Sequence, residues 1–130
     1  MISPKYCLDT HPLVWYFTGQ PTLSVKAKLI LDQVFKARTH GVIPSIALLE
    51  MYHLSLRKKR FLFPVVLRKI QLPNITIITL DKAVLTASYH LPKTLNIHDR
   101  VIAATAIVTG CVLLTKDAAL RSLKQLKTAW

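Results

Sequence analysis

The sequence predicts an α/β fold with a mainly parallel sheet, for three reasons. Short apolar runs stand at residues 5–8, 42–43, 75–79 and 112–115, and the third is rich in β-branched side chains. Longer segments between them carry apolar residues at helical spacing. No repeat, low-complexity tract or linker breaks the alternation, so residues 1–130 read as one domain, large enough for a hydrophobic core.

Each element has a local reason. Residues 5–8 form a short buried strand, and 10–17 a short helix stopped near Gly19-Gln20-Pro21. Ser24 is a favoured cap for a helix to about residue 38, with Leu29, Ile30, Val34 and Ala37 on one face and Gly41 as terminator. After the very short strand 42–43, Ser45 caps a helix to about residue 60. That helix ends in the basic run Arg57-Lys58-Lys59-Arg60. Pro64 opens a helix over 65–71, Pro73-Asn74 turns the chain, and 75–79 is a strand. Asp81 starts a helix to about residue 90, and 91–94 is a loop. Residues 97–109 form a helix closed by Gly110, 112–115 a strand, 118–126 a last helix and 127–130 a short edge strand.

Eighteen Lys and Arg against six Asp and Glu give a formal charge of +12 and a pI near 10.1. That balance points to a polyanionic partner, nucleic acid before an anionic membrane surface, with an inert basic surface as the bland alternative. The apolar fraction of 52% is high for so charged a chain, and a second subunit or partner would cover the excess. Cys7 and Cys111 lie in apolar runs without zinc-type spacing and read as buried reduced thiols of a cytoplasmic protein. No secretory signal is visible, because Asp9 interrupts the apolar run that follows Lys5. The longest low-charge stretch, 101–115, falls short of the roughly 20 residues that span a bilayer, and Gly110 divides it.

The carboxylates carry the chemistry. Four of the six sit at ends or starts of apolar elements. Asp9 follows Tyr6-Cys7-Leu8, Glu50 closes Ser45-Ile46-Ala47-Leu48-Leu49, Asp99 precedes Val101-Ile102-Ala103-Ala104, and Asp117 follows Val112-Leu113-Leu114-Thr115-Lys116. Burying a carboxylate without a partner is costly. Ligands of open parallel sheets bind outside the carboxyl ends of the strands. Asp9 and Asp117 fall just past strand ends, Glu50 in the second turn of a helix and Asp99 in the first, so all four can face one sheet edge. Converging carboxylates call for a divalent cation, and their hard oxygens suit Mg²⁺ or Mn²⁺. Two such ions about 3.5–4 Å apart can activate water and stabilise the leaving oxygen of a phosphodiester. With a basic surface to hold phosphates, these residues point to hydrolysis of nucleic acid.

Plainer roles compete at each position. Asp99 and Asp117 would serve equally as helix caps, and Asp81 and Asp32 read as structural. His98 is a base, a ligand or a solvent-facing loop residue. Thr10 and Ser45 are caps whose hydroxyls could also hold a metal-bound water. Arg57, Lys58, Lys59 and Arg60 form an RNA-binding ridge, a partner site or a solvated helix end. Trp15 and Tyr16 read as core or interface rather than platforms for bases. Other catalytic classes fit poorly: three scattered glycines make no phosphate loop, no G-x-S-x-G elbow occurs, and Asp9-Thr10-His11 lacks the second aspartate of an aspartyl-phosphate hydrolase.

The run Leu8-Asp9-Thr10-His11-Pro12-Leu13-Val14-Trp15 resembles the opening of PIN-domain ribonucleases, especially VapC-type toxins. Ser45-Ile46-Ala47-Leu48-Leu49-Glu50 resembles their second acidic motif. His98-Asp99-Arg100-Val101-Ile102-Ala103-Ala104-Thr105-Ala106 resembles the third, and Leu113-Leu114-Thr115-Lys116-Asp117 the fourth. The resemblance spans nearly the whole chain. It implies a single PIN-like three-layer α/β/α domain and a Mg²⁺- or Mn²⁺-dependent endoribonuclease. Asp9 and Asp99 would be the main metal ligands, with Glu50 and Asp117 completing the site directly or through water, and Thr10 and Ser45 in supporting polar positions. Arg100 matches the family's usual arginine; with Lys116 and the run from Arg57 to Arg60 it would contact RNA. The resemblance also implies a cytoplasmic homodimer, silenced by a small antitoxin whose tail inserts a basic side chain among the carboxylates. Two other functions fit the same residues: a non-catalytic RNA-binding module with this fold, and a PIN-like nuclease acting on DNA.

Overall fold

The computed structural model describes residues 5–58 and 60–130. Along them run β1 (Tyr6–Leu8), α1 (Thr10–Thr18), α2 (Val25–Phe35), β2 (Gly41–Pro44), α3 (Ser45–Lys58) and α4 (Phe63–Lys69). They are followed by β3 (Ile75–Ile78), α5 (Lys82–Tyr89), α6 (Ile97–Thr109), β4 (Val112–Leu114), α7 (Ala118–Arg121) and β5 (Thr128–Ala129). The five strands form one parallel sheet in the order β3-β2-β1-β4-β5.

Two core clusters lie on the two faces of that sheet, because side chains alternate along a strand. Cys7, Val42 and Leu113 point to one face, where they meet Val84 of α5, Val101 and Ile102 of α6 and Leu120 of α7. Their neighbours Leu8, Ile43 and Leu114 point to the other, against Leu13 of α1, Leu31 and Val34 of α2, Met51 of α3 and Val66 of α4. The result is the expected three-layer α/β/α arrangement. Both cysteines are buried and free.

The local signals hold where they depend on a few neighbouring residues. The Ser24 hydroxyl accepts a hydrogen bond from the Ala27 amide at 3.0 Å, and Asp81 accepts one from Val84 at 3.0 Å. Gly19 and Gly110 end their helices in the left-handed conformation. Two expectations change. The second helix ends at Phe35, and Ala37 rather than Gly41 takes a positive φ of 59°. Gly41 instead begins β2, where a β-carbon would lie 2.8 Å from Cγ1 of Val34. The last helix is four residues long rather than nine, because the chain must bring 128–129 alongside β4. Leu113 donates to the Lys127 carbonyl at 2.8 Å and Thr115 to the Ala129 carbonyl at 3.2 Å. Sheet pairing therefore outcompetes helix propagation there.

Strand order positions the site. From β1 the chain builds outward through β2 to β3, then returns through α5 and α6 to place β4 on the other side of β1. β1 and β4 flank the point where the order reverses, and the crevice outside the carboxyl ends of such strands is where doubly wound sheets bind ligands.

Candidate active site

Asp9 leaves β1 at that crevice. It is 7% exposed and caps α1, its Oδ1 accepting from the Thr10 amide at 2.7 Å. Its Oδ2 accepts from the Thr115 hydroxyl at 2.8 Å. Burial pushes the Asp9 carboxyl above the usual carboxylate range, and these two hydrogen bonds partly offset the rise. Thr115 immediately follows β4, fully buried, and its oxygen also accepts from the Asp117 amide at 3.1 Å. Asp117 caps α7 by accepting from the Ala119 and Leu120 amides at 2.8 and 3.2 Å.

Glu50 comes from the second turn of α3. Thr10, the first residue of α1 and 2% exposed, donates its hydroxyl to Glu50 Oε1 at 2.9 Å. His98 Nδ1 lies 3.4 Å from the other oxygen, Oε2. Asp99 comes from the first turn of α6, where Asn96 rather than Asp99 is the cap. Asn96 Oδ1 accepts from the Asp99 amide at 2.8 Å, and Asn96 Nδ2 donates to Asp99 Oδ2 at 2.9 Å, so one side chain both caps α6 and holds the Asp99 carboxylate. The Asp99 carboxyl is raised first by burial and then by repulsion from Asp117, Asp9 and Glu50, in that order. Four carboxylates thus share one electrostatic field.

They line one open cleft of about 600 Å³, together with Thr10, Asn96, His98, His11, Trp15 and Lys116. His98 is exposed on the first turn of α6 rather than in a loop. Trp15, expected in the core or an interface, is half-buried and lines the cleft. The imidazole of His11 stacks on it with centroids 5.6 Å apart and an interplanar angle of 24°. Lys116 Nζ lies 5.9 Å from the Trp15 ring centroid.

Other candidates stand elsewhere. Ser45 is the half-buried first residue of α3 and does not line the cleft. Arg100 turns away, donating to the Ser88 carbonyl at 3.2 and 3.0 Å and to the Tyr89 carbonyl at 3.2 Å, where it closes the end of α5. Arg57 is exposed. Lys58 and Arg60 line a neighbouring depression of about 220 Å³, and Lys59 lies outside the described residues. Asp32 is structural as expected: it accepts from the Tyr16 hydroxyl at 2.8 Å and pairs with Lys28 at 3.4 Å.

Four residues take roles at the cleft that the sequence reading did not give them. Thr115 sits two residues before Asp117 at a strand end, and Asn96 has cap chemistry three residues before Asp99. His11 and Trp15 are four apart, the spacing of one helix face.

The donor set is all carboxylate oxygen, which suits hard divalent cations. Among the described residues, no three acidic, histidine or cysteine side chains stand close enough together to ligate one ion. Mg²⁺ keeps several waters and is held by one or two carboxylates, so acids spread around an open cleft fit it better than a dedicated protein cage would.

The PIN domain profile matches residues 6–126. In fold, the chain is similar to three solved structures. VapBC2 from Rickettsia felis, bound to a DNA fragment from its promoter, matches with a TM-score of 0.72 at 22% identity over 96% of this chain and 97% of that one. A toxin–antitoxin complex from Klebsiella pneumoniae gives 0.71 at 19% identity over 96% of each chain. DNA-bound VapBC from Salmonella typhimurium gives 0.72 at 17% over 98% of each. No curated protein gives a significant match. With acids gathered at the strand-order reversal and a family profile covering nearly its full length, the chain belongs to the PIN domain family of nucleases.

Proposed function

We propose that residues 1–130 act as one PIN-like domain, a Mg²⁺- or Mn²⁺-dependent endoribonuclease that is the toxin of a type II toxin–antitoxin pair. The observation that carries this reading is the common cleft of Asp9, Glu50, Asp99 and Asp117 outside β1 and β4. A bound divalent ion there supplies an activated water and charge stabilisation for the leaving oxygen.

The chain's own residues divide the work. Asp9 and Asp99 would hold the metal, with Glu50 and Asp117 completing the set through its bound waters. Thr10 fixes one oxygen of Glu50, and Thr115 holds Asp9 and the Asp117 backbone together. Lys116 and the exposed bases Arg57, Lys58 and Arg60 attract the phosphate backbone, as the charge of +12 favours. Arg100 acts instead as an anchor of α5.

The fold likeness to VapBC and toxin–antitoxin complexes supports a small antitoxin as partner. Exposed Leu49, Tyr52 and Leu56 on α3 support a covered face, in keeping with a homodimer. No helix among the described residues is long and apolar enough to cross a membrane, in keeping with action in the cytoplasm.

The test is cleavage of total cellular RNA by the purified protein with Mg²⁺, with EDTA, and with Asp9→Asn prepared in parallel. Discrete products that need both metal and Asp9 are expected. Equal products from the variant would mean contamination and remove the catalytic role. Binding without metal-dependent products would favour the non-catalytic RNA-binding module.

A further inference from the structure

We propose, building on the ribonuclease reading, that His11 stacked on Trp15 forms a base-stacking subsite for the RNA strand beside the carboxylates. Lys58 and Arg60 hold the backbone beyond that subsite.

The geometry begins with α1. His11 and Trp15 lie one turn apart, and their rings stack. Trp15 is fixed from behind by the edge of Trp130, with centroids 5.9 Å apart at 69°. His11 is exposed while Trp15 is half-buried, so the imidazole is the outer tier of a column that ends in solvent. Asp9 and Thr10 immediately precede it, which sets that ring at the edge of the acidic cleft.

The two rings belong to two cavities at once. Both line the acidic cleft, and both line the adjacent depression that carries Lys58 and Arg60. They are therefore the ridge between a region that would hold the scissile phosphate and a region that attracts the next one. An acidic cleft repels flanking phosphates, so cations that grip the strand belong outside it, where Lys58 and Arg60 stand. A strand crossing the ridge brings a base over His11. Only an unpaired base offers a free face, because duplex bases are already stacked on their neighbours. The ridge thus places one unpaired base on His11, between the carboxylates and the cations of the neighbouring depression.

The test measures binding in the Asp9→Asn background, so that nothing is cut. The probes are a short fluorescent unpaired RNA and the same sequence annealed into a duplex. His11→Ala is expected to weaken binding of the unpaired strand about ten-fold and to leave duplex binding unchanged, while His11→Phe restores it. Lys58→Gln combined with Arg60→Gln should flatten the salt dependence of single-strand binding by about 1.4 in log–log slope. Thermal melts of the variants matching the Asp9→Asn parent would confirm an intact fold.

Unchanged binding by His11→Ala, equal losses on strand and duplex, failure of phenylalanine to rescue, or an unaltered salt slope would each overturn the proposal. If any of these occurs while the unsubstituted protein still cuts RNA with Mg²⁺, the subsite falls and the ribonuclease stands. If that protein neither binds nor cuts RNA, both fall.

Discussion

Thr115 donates its hydroxyl to Asp9 across 2.8 Å, joining two residues 106 positions apart at the ends of adjacent strands. The same oxygen accepts from the Asp117 amide at 3.1 Å. One buried hydroxyl therefore fixes the orientation of one carboxylate and the backbone of another. It does so because β1 and β4 run parallel with Leu8 beside Leu114, which leaves Asp9 and Thr115 to emerge together.

Replacing Thr115 by Val keeps the shape and removes both hydrogen bonds. The buried Asp9 oxygen and the Asp117 amide then lack partners, which costs about 1–3 kcal/mol of stability. Mg²⁺ affinity and cleavage should fall together by about 10- to 100-fold, the range for the loss of a partner that orients a metal ligand. Thr115→Ser, which keeps the hydroxyl, should recover most of both. Denaturant melts and Mg²⁺ titration of binding check this.

Asp99→Asn should stabilise the metal-free protein at neutral pH. In the fold, burial and three neighbouring carboxylates raise the Asp99 carboxyl above its ordinary 3.8. Such a group favours the fold fully below pH 3.8 and loses that contribution as pH rises through its elevated folded value. At pH 7 the parent carries the penalty of an ionised Asp99 and the asparagine variant does not. The melting temperature of the variant should exceed the parent's by about 2 °C or more at pH 7, a shift of the order expected for under 1 kcal/mol. The gap should close below pH 3.8. Excess Mg²⁺ should raise the parent's melting temperature and leave the variant's nearly unmoved.

Arg100→Met should act on stability before it acts on RNA. Its guanidinium clasps the last carbonyls of α5, and losing these charge-assisted bonds costs about 1–2 kcal/mol. Urea melts should show that loss, while RNA affinity measured below the unfolding transition stays within about two-fold of the parent, a difference worth only about 0.4 kcal/mol.

Gly41→Ala tests a packing role. The new β-carbon would stand 2.8 Å from Val34 Cγ1 between α2 and β2, and overpacking of this kind costs about 1–3 kcal/mol. Pairing it with Val34→Ala removes the clashing methyl and should recover part of the loss. Additive destabilisation in the double variant would show that the clash is not the cause.

Features that depend on near neighbours could be read from the order of residues alone. The alternation of strand and helix, the caps at Ser24 and Asp81 and the stops at Gly19 and Gly110 are set by backbone preferences within a few residues, and each is legible one element at a time. That Asp9, Glu50, Asp99 and Asp117 can share one cleft was legible too, because each stands where a strand end or an early helix turn meets the same edge of a parallel sheet. Long-range packing set the rest. The strand order, with β1 between β2 and β4, is a choice among pairings that local sequence leaves open, and it alone brings Asp9 beside Thr115. The same pairing cut the last helix to four residues so that β5 could join β4. It also gave Gly41 a steric task that no turn signal announces. His11, Trp15 and Arg100 look alike as surface or core candidates in one dimension. Contacts with residues far along the chain, Trp130 behind Trp15 and the end of α5 beneath Arg100, separate a cleft wall from a structural clamp, because long-range packing sets which faces of a side chain remain free.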